Sequence, residues 1–277
     1  MLETPDPTAK VKAARQAARD WRRGLIAWRF DGAMPDRPAR GAHPELLPPN
    51  RMPRRGKGGT EANRIALLHA LAHIEYVAID LAFDLLGRFG GHFPREFADD
   101  WMRVGAEEAM HFAILDRRLR RLGSHYGALP AHDGLWEAAS GTAHDPLARL
   151  AVVPMVLEAR GLDITPQTIA RFEAAGDRVS ARILGRILQD EIRHVAAGVR
   201  WFERGCANRG DSPHDAWRAL VAAHFHGTLK PPFNDSARAA AGLTIDFYKA
   251  VAECHAYLPQ KFPTSRTGAS SKASCST

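Results

Sequence analysis

The sequence predicts an all-α protein whose centre is a four-helix bundle built from two α-hairpins. Three observations support this fold class. Apolar residues recur at helical spacing in several long stretches, no series of alternating strand-like segments is present, and the two hairpins carry the same acidic and histidine residues at a constant spacing. An N-terminal helix and a Pro-rich arm are expected before the bundle, and extra helices after it.

The first 59 residues are expected to form a helix followed by a basic arm. Residues 8–30 place Ala14, Ala18 and Trp21 at helical spacing. Residues 31–59 contain six prolines and end with three closely spaced glycines, a composition that excludes a regular helix. This second part is therefore predicted to be extended.

The body of the protein, residues 60–260, begins with the two hairpins. Thr60 is a plausible N-cap for a helix over 60–88, and a second helix is expected over 94–122. After a loop-rich link, a third helix starts at residue 145 and a fourth spans 177–205. Each hairpin thus contributes two helices to the bundle.

An interruption is expected in the third helix near Asp163–Pro166, followed by a short helical piece over 166–175. Such a break would open the bundle beside Glu158 and create a substrate cavity. Two further helical stretches are expected over 212–227 and 235–257. The Ser/Thr/Lys-rich tail, residues 261–277, is predicted to be disordered.

Two Glu-x-x-His motifs lie on predicted helices, one at Glu108–His111 and the other at Glu191–His194. Because residues three apart share a helix face, each motif can direct a carboxylate and an imidazole to one point. A single motif of this kind is equally typical of a solvent-exposed Glu–His pair on a helix surface. The evidence for a site comes from the spacing between the motifs.

Corresponding residues of the two hairpins are separated by a constant 83 positions, as Glu75 is from Glu158 and His111 from His194. The same offset relates Glu107 to Asp190. Glu75 and Glu158 also lie among apolar residues, where an unpaired carboxylate is costly to bury. Two divalent cations would balance the four glutamate charges, and such an arrangement is known in helical bundles.

Several segments around these residues carry a resemblance to a known family. They are Leu68-His-Ala-Leu-Ala-His-Ile-Glu75, Asp99-Asp-Trp101, Glu107-Glu-Ala-Met-His-Phe112, Pro130-Ala-His-Asp-Gly-Leu-Trp136, Leu157-Glu-Ala-Arg-Gly-Leu-Asp163, Asp190-Glu-Ile-Arg-His194 and Leu229-Lys-Pro-Pro-Phe-Asn234. Over roughly residues 8–245 the chain resembles the ferritin-like di-iron carboxylate superfamily and is most similar to the bacterial ferritin-like proteins called domain of unknown function 455. The resemblance implies a ferritin-like bundle with the metal ligands Glu75, Glu108, His111, Glu158, Glu191 and His194.

Residues behind the ligands are also predicted. A metal-bound histidine usually donates its other N–H to a carboxylate, and Asp190 and Asp80 are candidates for that role, with Arg193 as their partner. Alternatively, all three residues are exposed surface charges. His69 and His73 are open to several interpretations: a third metal site, a proton path, a cavity wall or a packed pair.

The ligand set favours two iron ions, with manganese or a mixed Mn/Fe pair as the alternative, because carboxylate and imidazole suit these metals. Open coordination positions favour a catalytic centre that uses O₂ as co-substrate. The first hypothesis is an O₂-dependent oxidase or hydroxylase with an unidentified substrate and an electron donor. The second is iron handling as a ferroxidase or peroxide-detoxifying protein. The third is a tRNA-modifying di-iron hydroxylase.

The charge distribution bears on the third hypothesis. The chain has a formal net charge of +7, but residues 1–60 carry +7, residues 61–260 carry −3 and residues 261–277 carry +3. The basic arm either attracts nucleic acid or wraps around the acidic bundle, and wrapping is favoured. No uninterrupted apolar run approaches the ~18 residues of a membrane span. A cytoplasmic protein without membrane insertion is therefore expected, and oligomerisation is left open.

Overall fold

The computed structural model describes residues 1–53 and 59–257. Within them the chain is helical and has no β-strand, so the all-α prediction is confirmed. The predicted disordered tail over 261–277 and the arm residues Arg54, Arg55 and Lys57 lie outside the described part. The α-helices are α1 (Pro7–Arg22), α2 (Glu61–Phe89), α3 (Arg95–Arg121), α4 (Gly134–Ser140), α5 (Pro146–Val152), α6 (Ala159–Ala174), α7 (Arg178–Arg209), α8 (Pro213–His224), α9 (Asp235–Ala240) and α10 (Ile245–Tyr257).

The two predicted hairpins are present. Helices α2 and α3 pack along each other, α6 packs along α7, and the hairpins meet through α3 and α7. The predicted cap at Thr60 is present, because Thr60 Oγ1 accepts the N–H of Asn63. The fourth helix is capped in the same way by Asp177, whose carboxylate accepts the N–H of Ser180. Helix α7 continues to Arg209, beyond its predicted end at 205, and stops where Gly210 adopts a φ of 74°.

The N-terminal helix is shorter than predicted. It ends at Arg22 rather than residue 30 because Gly24 adopts a left-handed φ of 71° and donates its N–H to the carbonyl of Trp21. The following segment runs along the bundle, and Leu46 forms an isolated bridge with Ala131. Arg40 of this segment reaches the buried Asp80, which agrees with the predicted wrapping of the arm at this point.

The third helical segment of the bundle is irregular, but not where the sequence indicated. Helix α6 continues through 163–166, so the predicted interruption there is wrong. Pro166 cannot donate to the carbonyl of Leu162, but Asn234 Nδ2 donates to that carbonyl at 3.1 Å and replaces the missing partner. The irregularity lies one to three turns earlier, where Val153–Glu158 form a π-helical segment that contains Pro154.

Gly198 of α7 allows this π-helical segment to approach closely. A Cβ atom at Gly198 would lie 2.4 Å from Pro154 Cβ and 2.6 Å from Pro154 Cγ. We therefore expect Gly198→Ala to lower the free energy of unfolding by about 1–3 kcal/mol, the usual cost of overpacking. Chemical denaturation measures this change.

The matched control for that substitution is Gly185→Ala, also on α7, where, apart from the neighbouring backbone of the helix itself, no atom of the described residues lies within 4 Å of the added methyl group. This variant should be neutral or more stable by up to about 1 kcal/mol, because alanine is the better helix former. Equal effects of the two substitutions would contradict a close packing requirement at Gly198.

Helix α2 contributes many buried residues to the core. The stretch Glu61–His92 is long and apolar enough to cross a membrane, but 67% of its most apolar window is buried inside the protein. Its apolar sequence is interrupted by the buried Glu75, Asp80 and Asp84. These features are those of a core helix in a helical protein, as expected from the absence of an uninterrupted apolar run.

The C-terminal helices pack on the second hairpin. Helix α8 contacts α5 and α7, and α9 contacts α6 and α7. The stretch predicted as one helix over 235–257 is divided into α9 and α10, because Gly242 adopts a left-handed φ of 78° between them. The predicted loop-rich link also contains the short helix α4, whose Trp136 is buried.

Candidate metal centre

Four helical segments bring acidic side chains together in the middle of the bundle. Ligand atoms of Glu75, Glu108, His111 and Glu191 lie within 4.8 Å of one another. Glu158 lines the same cavity of about 60 Å³ as the other three glutamates. The residues that the sequence singled out are therefore brought to one place, namely Glu75, Glu108, His111, Glu158, Glu191 and His194.

The two histidines face the cluster with the same ring nitrogen. His111 Nδ1 lies 3.3 Å from Glu75 Oε2, 3.4 Å from Glu108 Oε2 and 3.5 Å from Glu191 Oε1. His194 Nδ1 lies 2.9 Å from Glu108 Oε1 and 3.4 Å from Glu191 Oε1. Glu108 and Glu191 thus stand between the two rings, one from each Glu-x-x-His motif.

The opposite nitrogen of each ring contacts a carboxylate outside the cluster. His111 Nε2 lies 3.1 Å from Asp190 Oδ2, and His194 Nε2 lies 2.8 Å from Glu107 Oε2. A carboxylate at Nε2 holds a proton on that nitrogen, so Nδ1, which faces the glutamates, is the atom that becomes available to a cation once it has lost its own proton. This orientation prepares both rings to act as ligands.

The structure places two of the three residues predicted behind the ligands next to the histidines or their carboxylate partners. Asp190 contacts His111, and Arg193 contacts both Asp190 and Glu107. Asp80 is a correction: its carboxylate is fully buried against Lys10 and Arg40, away from both histidines. Five residues after Glu75, Asp80 lies on a part of α2 that faces the N-terminal segment instead of α3 and α7.

Glu107 is the partner that sequence reasoning missed for this role. The signal was present, because the offset of 83 residues relates Glu107 to Asp190. Each motif is thus preceded by an acidic residue that supports the histidine of the other motif. The exchange arises because α3 and α7 pack side by side, so that residue 107 faces residue 194 and residue 190 faces residue 111.

Polar atoms without partners also mark the cluster. Glu158 Oε2 is buried and has no hydrogen-bond partner among the described residues. His194 Nδ1 and Glu108 Oε1 are 2.9 Å apart, but their geometry does not form a hydrogen bond. Buried polar atoms are normally paired, so atoms left this way fit coordination of a cation. Four carboxylates and two imidazoles suit iron or manganese.

The ionisation of the free site reflects this crowding. Burial, followed by the charges of Glu191 and Glu108, raises the pKa of Glu158 well above its usual value. Burial also raises the pKa of Glu75. Burial opposes the charged form of Glu108 too, but the charge of His194 and a hydrogen bond from His111 outweigh it and lower the pKa of Glu108. The free site therefore retains protons that a bound cation would displace.

His69 and His73 do not join the cluster. His69 Nε2 accepts the N–H of Gly127 at 2.9 Å, and His73 Nδ1 lies 2.9 Å from the Tyr126 hydroxyl. Both rings line a separate pocket on the other side of Ile74. Of the open interpretations, the structure supports a cavity wall.

Comparison with known proteins places the chain in a family. Residues 3–249 match the family described as protein of unknown function, DUF455. The chain belongs to the DUF455 family. It is also 41% identical over 207 residues to an uncharacterized protein of Haemophilus influenzae, an alignment that covers 73% of the chain and 72% of that relative. No solved structure matches this DUF455 protein significantly.

The partners of the two histidines provide a test of the site in this DUF455 protein. Glu107→Gln and Asp190→Asn each remove a negative charge from a histidine Nε2 but retain the side-chain shape. We expect each to weaken metal binding by about 10–100-fold, as loss of such partners usually does. Titration with Mn²⁺ or anaerobic Fe²⁺ measures the change.

Glu203→Gln is the matched control, because Glu203 is exposed on α7 and is not part of the cluster. Its metal affinity should equal that of the wild type. An unchanged affinity in both Glu107→Gln and Asp190→Asn would show that these carboxylates do not support metal ligands.

Proposed function

We propose that this DUF455 protein is a ferritin-like di-iron protein that acts as an O₂-dependent oxidase or hydroxylase on a small organic substrate. The observation that carries the proposal is the paired arrangement of the histidines, each with Nδ1 toward the four glutamates and Nε2 on an outer carboxylate. A network of structural salt bridges does not require both imidazole rings to have the same orientation. Ligands of two cations do require it, because each ring must present one nitrogen to a metal ion while the other nitrogen is held by a carboxylate.

The residues divide naturally into two groups of ligands. Glu75 and His111 would hold one ion, and Glu158, which interacts electrostatically with His194, would hold the other together with that histidine. Glu108 and Glu191 would contribute to both, because among the glutamates that the structure describes these two approach both histidines. Iron is the first choice and manganese or a mixed pair the second. Bound iron would supply the reduction of O₂ and the oxidation of the substrate, with an external electron donor if the reaction is a hydroxylation.

The protein's own contribution is to orient the ligands and exclude water. His111, Glu108 and Asp190 are buried, and the cavity at the glutamates is only about 60 Å³. These three residues are shielded from bulk solvent, which strengthens the electrostatic interactions among them, whereas Glu158 and Glu191 are half-buried at the cavity. The neighbouring pocket beside Glu158 favours an organic substrate over simple iron storage, because storage needs no such pocket.

The pH dependence of metal binding follows from the raised pKa values of Glu75 and Glu158. Their free forms hold protons, and a cation requires the ionised carboxylates. Against the effect of burial, the neighbouring carboxylates also raise the pKa of His111 and His194. Metal binding should therefore release protons, and the apparent affinity should rise with pH until these carboxylates and imidazoles have lost their protons in the free protein. Calorimetry in two buffers of different ionisation enthalpy counts the protons. Proton uptake, or an affinity independent of pH, would contradict this expectation.

The decisive experiment is anaerobic loading with Fe²⁺ followed by exposure to O₂. We expect two iron ions per chain, O₂ consumption that depends on the bound iron, and a change in the visible absorption spectrum. Absence of bound iron and manganese would refute the proposal. A large soluble cage that accumulates iron would favour the iron-handling alternative, and tight salt-sensitive tRNA binding would favour a tRNA substrate.

A further inference from the structure

A second pocket lies directly beside the glutamate cluster. It has a volume of about 330 Å³ and is bordered by α2, the loop before α4 and the start of α6. It shares Ile74, Leu135 and Leu157 with the small cavity of the glutamates. Ile74 and Leu157 immediately precede Glu75 and Glu158, so one layer of apolar side chains separates the pocket from the cluster.

The walls of this pocket are mainly apolar. Its volume lies at the lower end of the roughly 300–1,000 Å³ typical of small-molecule sites. Among the described residues that line it, Arg160 is the only aspartate, glutamate, lysine or arginine. An apolar body with a single charged group therefore fits these walls better than a sugar or a nucleotide with several charges.

The charge of Arg160 is only partly neutralised. Its nearest carboxylate, that of Asp163, is 3.4 Å away and already accepts two hydrogen bonds from Arg238, at 2.8 and 2.7 Å. One carboxylate thus serves two guanidinium groups, and one positive charge remains in excess. Arg160 Nη1 also donates to the carbonyl groups of Lys230 and Pro232, at 2.8 and 2.9 Å, which fix the side chain in place.

His73 supplies a polar contact deeper in the same pocket. The side chain is 5% exposed, and its Nε2 has no hydrogen-bond partner among the described residues, although the backbone of His132 lies near the ring. An imidazole nitrogen in this position can exchange a hydrogen bond with a polar group of a ligand.

We propose that this pocket binds a small anionic amphiphile, with its anionic group at Arg160 and its apolar body against Ile74, Leu135 and Leu157. The inference that this amphiphile is the substrate of the metal centre rests on the proposed function. The inference that the pocket binds it rests on the pocket alone. A monocarboxylate with a linear hydrocarbon chain is the simplest member of this class.

Decanoate and its uncharged counterpart 1-decanol, both kept below their aggregation limits, test the proposal by calorimetry on the full-length protein. Decanoate should bind roughly 10–100-fold more tightly than 1-decanol, the range expected for one charge-assisted contact. Arg160→Met should remove this preference. Arg171→Met, on the same helix but outside the pocket, should retain it.

A second variant tests the location of the site. Ala70 lines the pocket, and Ala70→Phe should fill it and abolish decanoate binding while circular dichroism reports an intact fold. Failure of decanoate to bind the wild type would overturn the proposal. So would equal affinities for decanoate and 1-decanol, or wild-type affinity in the folded Ala70→Phe variant.

Metal analysis of the same samples separates this inference from the proposed function. Decanoate binding to protein that cannot take up iron or manganese would support the pocket and refute the di-iron function. Uptake of two iron ions without decanoate binding would leave the di-iron function standing and overturn the inference about the substrate class.

Discussion

Replacing both Glu108 and Glu191 with alanine is expected to abolish binding of both metal ions. These two carboxylates approach both histidines, whereas Glu75 lies within 3.3 Å of His111 and, in the described structure, forms no such contact with His194. Removal of both should therefore prevent binding of both metal ions. The single substitution Glu75→Ala should mainly weaken binding of the ion held by Glu75 and His111. Metal analysis after loading and dialysis should give two ions for the wild type and none for the double variant.

Thermal stability gives an independent measurement of the same effect. A ligand at about 1,000 times its dissociation constant stabilises the native state by about 4 kcal/mol. Saturating Mn²⁺ should thus raise the melting temperature of the wild type, and the double variant should show no metal-dependent shift. A double variant with Glu173 and Glu203 replaced by alanine is the control, because both are exposed on α6 and α7. A normal shift in the Glu108/Glu191 double variant would refute a metal centre at this cluster.

The convergence of the six residues could be predicted from the sequence because it depends on repetition. A constant offset between two helical hairpins places matching residues on matching faces, whatever the details of packing. The helix bounds of α2 and α3 were equally accessible, since Thr60, Pro94 and Gly123 mark the ends. Local residue chemistry and spacing were therefore sufficient to predict the convergence of the six residues and the bounds of these two helices.

The repeat also extends to the buried aspartates, but the sequence could not identify their partners. Asp80 and Asp163 are 83 residues apart, and both are buried. Asp80 is neutralised by Lys10 and Arg40, and Asp163 accepts its two shortest charged hydrogen bonds from Arg238. These three basic residues belong to segments outside the two hairpins. Which of many basic residues reaches a buried carboxylate depends on how those segments fold over the bundle, and spacing carries no information about that.

The predicted position of the helix irregularity was wrong for a related reason. Pro154 and Pro166 are both unfavourable inside an α-helix, and the sequence analysis placed the break at Pro166. The observed structure accommodates Pro166 because Asn234, distant in sequence, binds the freed carbonyl of Leu162. The distortion occurs at Pro154 instead, where Gly198 leaves room for it. Tertiary contacts, rather than the local sequence, therefore determine which of the two prolines distorts the helix.

Loss of the buried Arg149 side chain should be among the most destabilising single changes in this protein. Its guanidinium contacts Asp84 at 2.5 Å, the Thr142 hydroxyl at 2.7 Å and the carbonyl of Ala139 at 2.9 Å, and the side chain is 1% exposed. It thereby joins α2, the end of α4 and α5. Arg149→Met would leave a fully buried carboxylate facing an apolar side chain.

The expected cost of Arg149→Met is about 3–5 kcal/mol in the free energy of unfolding, the usual result of breaking a buried ion pair on one side. Arg88 also contacts Asp84, at 2.8 Å, and keeps the cost near the lower end of that range. The exposed Arg182→Met should change stability by less than about 0.5 kcal/mol. Chemical denaturation measures both variants.

The double variant Asp84→Leu/Arg149→Met distinguishes a lost ion pair from lost packing. With both charges removed, no uncompensated carboxylate remains buried, and much of the stability should return. The two residues are in contact, so their effects should be strongly non-additive in a double-mutant cycle. Additive losses would instead show that Arg149 acts through its contacts with Thr142 and Ala139, and that the Asp84 carboxylate contributes little to joining the two hairpins.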